Sequence, residues 1–137
     1  MIKEVGLVSV IMNCYNGEEY LNEAIESVLK QTYENFEIIF WDNLSTDKTR
    51  QIVKSYDDSR IRYFIAETHV NLGEARNLAL KKVKGDYICF LDVDDFWDID
   101  KLQLQTEHMY DNPEVIVSYS FSYEFYGKNL SSKKCIQ

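Results

Sequence analysis

Two uninterrupted runs of apolar, β-favouring residues, LVSVIMN at 7–13 and FEIIFWD at 36–42, restrict the folds open to this chain more than any other feature. A strand without polar alternation has to be covered on both faces, as happens in a parallel sheet with helices on either side. The intervening segments agree. After a turn at Asn16-Gly17, EEYLNEAIESVLKQ puts Leu21, Ala24, Ile25, Val28 and Leu29 on one helical stripe. STDKTRQIVKSYDD reads as a second helix, with Ser45 as its N-cap and Asp47 in the positive first turn. RIRYFIA (60–66) is a third strand, more polar and therefore expected nearer a sheet edge. NLGEARNLALKKVKG is a third helix, opening near Gly73 and closed by Gly85. DYICFLD (86–92) is the fourth strand, expected to end buried at Cys89, Phe90 and Leu91. DIDKLQLQTEHMYDN is a fourth helix ended by Pro113, and EVIVSYSFSYEFY a fifth extended segment. This alternation predicts an α/β fold: a doubly wound, mainly parallel, Rossmann-like sheet with helices on both faces. A single domain over 1–126 is expected, followed by a polar tail at 127–137 that frays.

In open α/β sheets ligands bind beyond the carboxyl ends of the strands. The residues there are Asn13-Cys14-Tyr15-Asn16, Asp42-Asn43, Ala66-Glu67 and Asp92-Val93-Asp94-Asp95. The last group is the sharpest signal. Carboxylates packed so closely repel one another unless something positive sits among them. A hard divalent cation, Mg²⁺ or Mn²⁺, takes oxygen ligands and is commonly held by one or two carboxylates plus substrate phosphates. Asp98 and Asp100 read instead as caps of the fourth helix. No Gly-x-Gly-x-x-Gly follows the first strand and no Walker-type loop exists, so a backbone phosphate cradle is not expected. The cationic candidate is Arg76, within GEARN and near the same edge. His69 precedes a loop near that edge and His108 sits mid-helix among polar residues; neither joins a Ser-His-Asp or Cys-His arrangement.

A formal net charge of −8 argues against a nucleic-acid groove, which needs a basic face. The three cysteines, Cys14, Cys89 and Cys135, have no metal-ligand spacing; Cys14 and Cys89 end apolar runs and read as buried free thiols in a reducing compartment. No segment approaches the ~20 apolar residues of a membrane span, and MIKEVGLVSVIM reads as a first strand and not as a signal peptide. A cytoplasmic protein is expected.

Together VSVIMNCYNGEEYLNEAIESVLKQTYENFEIIFWDNLSTDKT, NLGEARNLAL and KGDYICFLDVDDFWDIDKLQLQ resemble the family 2 glycosyltransferases of the GT-A fold, in family order over about residues 8–105. The resemblance implies a nucleotide-diphosphate sugar as donor, most commonly a UDP-sugar, and inverting transfer to an acceptor hydroxyl. It makes Asn13, Tyr15, Asp42, Arg76 and Asp92 nucleotide-binding, with Tyr15 as a platform for the base and Asp42 accepting a hydrogen bond from it. DVD at Asp92–Asp94 is similar to the family's Asp-x-Asp motif, and implies a Mn²⁺ or Mg²⁺ held by Asp94 with Asp95 beside it. Where many members have a proline before the loop Tyr-Asn, this chain has Asn13-Cys14. The family's general base lies well beyond Asp-x-Asp, so it is expected beyond Gln137. The acceptor, a glycan or lipid-linked sugar, would meet that missing part, with the full enzyme peripheral to the inner membrane face. The chain alone is then a truncated donor-binding domain, inactive in transfer and prone to self-association through its cut surface. Two rivals are a non-catalytic sugar-nucleotide-binding module and a receiver-type phosphoacceptor domain. The latter wants an acidic pair after strand one and a lysine after strand five, where this chain has Asn13-Cys14 and Ser118 to Ser120.

Overall fold

The computed structural model describes residues 6–120, 122–124 and 134–136. Along the chain the elements are β1 (Val8–Cys14), α1 (Leu21–Leu29), β2 (Phe36–Asp42), α2 (Thr49–Ser55), β3 (Ile61–Ile65), α3 (Leu72–Leu80), β4 (Tyr87–Phe90), α4 (Lys101–Asp111), β5 (Ser122–Glu124) and β6 (Lys134–Ile136). The first four strands form one sheet in the order β3-β2-β1-β4, every neighbouring pair parallel. This is the doubly wound α/β architecture expected. No helix among the described residues is long and apolar enough to cross a membrane.

The unbroken apolar runs become the two central strands, and all seven residues of each are buried. Strand alternation sends Val8, Val10, Met12 and Cys14 to one face, where they meet Leu21, Ala24, Ile25 and Val28 of α1, Val53 of α2 and Leu102 of α4. Ile11, Ile39 and Trp41 face the other way, against Ala75 and Ala79 of α3. Each large side chain so buried contributes roughly 1.5–3 kcal/mol. The middle of the sheet is therefore a rigid base for whatever its carboxyl edge carries.

β3 lies at an edge, as its polarity predicts. β4 is the other edge, which corrects its reading as a buried strand. Ile88 and Phe90 are 48% and 46% exposed because α3 covers β1 and β2 but leaves this margin open, and only Leu91 is fully enclosed. The fifth extended segment is shorter than expected. Residues 115–120 have no regular structure and expose Ile116, Val117 and Tyr119, while β5 pairs antiparallel with β6 in a separate ribbon. β6 falls within the tail expected to fray; residues 121 and 125–133, and with them the expected boundary at 126, lie outside the described residues, as does the Cys135 side chain.

Helix ends show what local signals miss. α3 opens as its sequence suggests, with Asn71 Oδ1 accepting from Glu74 N at 3.0 Å. Ser45 does not cap α2, which begins at Thr49; Asp47 Oδ1 accepts from Thr49 N instead. Asp100 occupies the N-cap position of α4 without a side-chain cap bond. Gln31, beyond the end of α1, takes that role: its Oε1 accepts from Leu102 N at 2.9 Å and its Nε2 donates to Asp98 O at 2.6 Å. Gly85 does not terminate α3, which ends at Leu80. It lies against β1, where a Cβ would come 2.6 Å from Leu7 O and 2.7 Å from Ser9 N. Gly85→Ala must push backbone aside, and a loss of about 1–3 kcal/mol is expected in urea denaturation. A loss below ~0.5 kcal/mol would show that the turn gives way freely.

Candidate functional site

Because the strands run parallel, β1, β2, β3 and β4 all end on one edge of the sheet, at Cys14, Asp42, Ile65 and Phe90. There the loops after β1 and β4, with the first residue of α3, enclose a cleft of about 440 Å³ lined by Asn13, Tyr15, Asn16, Gly17, Glu19, Tyr20, Leu72, Asp92, Val93 and Asp94.

Asn13 gives the cleft its most unusual feature. It is only 9% exposed, yet neither its Nδ2 nor its Oδ1 has a hydrogen-bond partner. Its register partner on β2, Trp41, also carries a buried, unpaired Nε1. An unsatisfied buried polar group costs about 1–3 kcal/mol, so such groups usually have a reason. Asn13 shares its sheet face with Ile11 and lines the cleft.

The β1 loop is held rigidly by the loop after β2. Asn16 N donates to Ser45 Oγ and Gly17 N to Thr49 Oγ1, at 2.9 and 3.0 Å. Thr46 N donates to Asn16 Oδ1, Glu18 N to Asp47 Oδ2 and Lys48 N to Glu18 Oε2. Asn16 adopts φ 54°, a conformation asparagine tolerates better than most residues. Gly17 packs closely, since a Cβ would sit 2.6 Å from Cys14 Sγ and 3.0 Å from Val93 Cγ2 and both side chains would have to shift. Ser45, read as a helix cap, thus belongs to this clasp.

The rim is acidic. Asp92 and Asp94 line the cleft, and Asp95 stands beside them where its N–H closes a turn onto Asp92 O at 3.0 Å. Burial raises the Asp95 pKa, and the charges of Asp94 and Asp92 raise it further. Tyr20 is also held above its usual pKa, chiefly by its hydrogen bond to Glu19. Arg76 supplies one counter-charge: its Nη2 donates to Asp92 Oδ1 at 2.9 Å while the guanidinium lies 5.7 Å from the Phe90 ring centre. Among the described residues no three His, Cys, Asp or Glu side chains converge as a preformed metal cage. Two carboxylates open to one cleft are nevertheless the donor set that Mg²⁺ or Mn²⁺ takes when phosphate oxygens complete its shell.

Of the residues singled out in the sequence, Asn13, Tyr15, Asp92 and Asp94 line the cleft, and Arg76 joins them through Asp92. Asp42 does not. It shares a face with Phe40, is fully buried, and spends both oxygens inside the chain, accepting from Ser45 N at 2.7 Å and from Tyr63 Oη at 2.5 Å. Burial, then that bond and the Asp42 charge, push the Tyr63 pKa upward. In this structure Asp42 shapes the loop that clasps the cleft wall. Glu19, Tyr20 and Leu72 also line the cleft. The sequence carried no signal for them: Tyr20 stands at the N-cap of α1 and Leu72 is the first residue of α3, positions with no chemical pattern of their own.

A family model described as Glycosyl transferase family 2 matches residues 9–134. The UDP-Glc:alpha-D-GlcNAc-diphosphoundecaprenol beta-1,3-glucosyltransferase WfgD of Escherichia coli is 43% identical over 127 residues, which cover 87% of this chain and 50% of WfgD. The crystal structure of S. aureus TarS 1-349 in complex with UDP-GlcNAc is similar at TM-score 0.74 and 33% identity, over 77% of this chain and 32% of that one. The mannosyltransferase PcManGT from Pyrobaculum calidifontis, solved with GDP-Man and Mn²⁺, has the same fold at TM-score 0.69 and 24% identity, over 77% of this chain and 32% of its own. The chain spans about half the length of curated relatives such as WfgD.

Proposed function

This chain belongs to glycosyl transferase family 2, and from that premise we propose that its cleft binds the nucleoside diphosphate of an activated sugar, a UDP-sugar, in the presence of Mg²⁺ or Mn²⁺. The observation that carries the proposal is the buried, unpaired carboxamide of Asn13 in a cleft that also holds an aromatic ring and two carboxylates. An amide offering a donor and an acceptor side by side suits the hydrogen-bonding edge of a base, and the Tyr15 ring suits its face. The names of the relatives support the uridine nucleotide: WfgD uses UDP-Glc, and TarS was solved with UDP and with UDP-GlcNAc.

Asp94, with Asp95 next to it, holds the cation, and Asp92 supports the nucleotide while paired to Arg76. Asp42 acts on the base from behind, through the loop it holds. A bound divalent cation supplies Lewis-acid stabilisation of the departing diphosphate. The reaction served is displacement at the anomeric carbon by an acceptor hydroxyl, with inversion; the acceptor is a glycan or lipid-linked sugar, by analogy with the diphosphoundecaprenol acceptor named for WfgD. We assign to these 137 residues the donor half of that reaction.

Calorimetric titration with UDP, with Mn²⁺ and after thorough chelation, tests the proposal. Binding that weakens tenfold or more on chelation is expected. Equal affinity in both conditions would overturn the metal bridge, and no binding in either would overturn the nucleotide site.

A further inference from the structure

We infer that His69, which belongs to no catalytic constellation, is a positioning residue that holds the Tyr15 ring in place as the aromatic wall of the cleft. This rests on reading the cleft as a nucleotide site and names a further determinant of its affinity for the base. The two rings meet edge to face, with centroids 4.4 Å apart and planes at 62°. Tyr15 is 53% exposed, so without a neighbour its ring would sample several rotamers and a ligand would have to immobilise it.

His69 can act as a support because it is itself fixed. Its Nδ1 lies 3.0 Å from Asn43 O, and a carbonyl oxygen only accepts, so that nitrogen carries a proton and donates. Asn43 in turn is 6% exposed and anchored on both sides. Its N–H donates to Cys14 O at 2.8 Å, and its carboxamide clips the backbone of Val70, donating to Val70 O at 2.7 Å and accepting from Val70 N at 3.2 Å. The end of β1, the end of β2 and the loop before α3 are thereby joined through one buried asparagine, and the imidazole is the part of this assembly that touches Tyr15. An aromatic contact of this kind is worth about a three- to tenfold change in affinity.

The test compares His69→Ala, His69→Phe and His69→Asn with the wild type, using UDP, uridine and, with Mn²⁺, inorganic pyrophosphate as titrants. Expected is a three- to tenfold loss for UDP and uridine in His69→Ala, and partial recovery in His69→Phe, which restores the ring contact but not the bond that fixes it. His69→Asn should bind as weakly as His69→Ala, and pyrophosphate affinity should stay constant throughout. Recovery by asparagine but not phenylalanine would overturn the inference in favour of the bond to Asn43. It would equally fall if His69→Ala bound uridine like the wild type, or if pyrophosphate affinity dropped in parallel. Failure of the wild type to bind uridine or UDP at all would instead refute the nucleotide site, and this inference with it.

Discussion

Asp94→Asn is expected to weaken UDP binding in the presence of Mn²⁺ by tenfold or more, while Asp98→Asn leaves it within about twofold. Both aspartates belong to the same acidic stretch, yet the fold separates them. Asp94 lines the cleft. Asp98 acts through its backbone carbonyl, which accepts from Gln31 Nε2 and from Lys101 N, and its exposed side chain is no part of the cleft wall. Removing one charged ligand contact costs about 1.5–3 kcal/mol, which is at least a tenfold loss of affinity. Folding does not confuse the comparison. Asp94 is exposed and adds to the charge crowding felt by Asp95, so neutralising it relieves repulsion and should not lower the melting temperature. Equal binding by the two variants would mean that the division of the cluster is wrong.

The largest effect on stability is expected at Glu37, far from that edge. It stands in the central strand β2, with its side chain 8% exposed. Its Oε1 accepts from Ser9 Oγ at 2.7 Å and Lys84 N at 2.8 Å, and its Oε2 pairs with Arg62 Nη1 at 2.6 Å. Ser9 Oγ also accepts from Gly85 N, which ties the same node to the close approach that demands a glycine there. Glu37→Ala would remove the acceptor of a buried hydroxyl and an amide and leave the Arg62 guanidinium only its bond to Lys82 O. Breaking a buried pair costs about 3–5 kcal/mol, and because Arg62 keeps 26% exposure a loss of about 2–4 kcal/mol is expected. Glu37→Gln keeps an acceptor for Ser9 and Lys84 and should lose only about 1–2 kcal/mol.

The same node sets an acid dependence. Burial disfavours the Glu37 charge, but the Ser9 hydroxyl, the Arg62 guanidinium and the Lys84 amide outweigh it and hold the pKa below the ordinary glutamate value. The folded state then binds fewer protons than the unfolded one through that interval, so stability rises with pH across it. Glu37's contribution is complete above the unfolded value, near pH ~4.3, and fades as pH falls through the lower folded value. Urea denaturation of wild type and Glu37→Gln should show a constant difference at neutral pH that shrinks under acid. A difference independent of pH would assign the node's strength to packing and not to charge.

Much of this molecule was legible from periodicity. The apolar runs of β1 and β2 are unbroken because these strands are central, and β3 is more polar because it is not. The ligand edge follows from the parallel order, and the acids after β4 mark it. Periodicity did not say that β4 is a margin, since Ile88 and Phe90 look the same in sequence whether or not a further layer covers them. It placed Gly85 at a helix end by local habit, when the backbone of β1 was the real constraint.

Sequence alone therefore placed the first four strands and the four helices, marked β1 and β2 as central, and showed on which edge polar chemistry gathers. These are properties of neighbouring residues, set by burial that repeats every two or three to four positions. Only the tertiary structure decided that Gln31 caps α4, that Asp42 turns inward to Tyr63, that Asn13 is left without a partner in the cleft wall, and that His69 meets Tyr15 edge to face. Each depends on atoms from distant positions coming within a few ångströms. No local pattern encodes such a meeting, because it is fixed by how whole elements pack and not by the residues on either side.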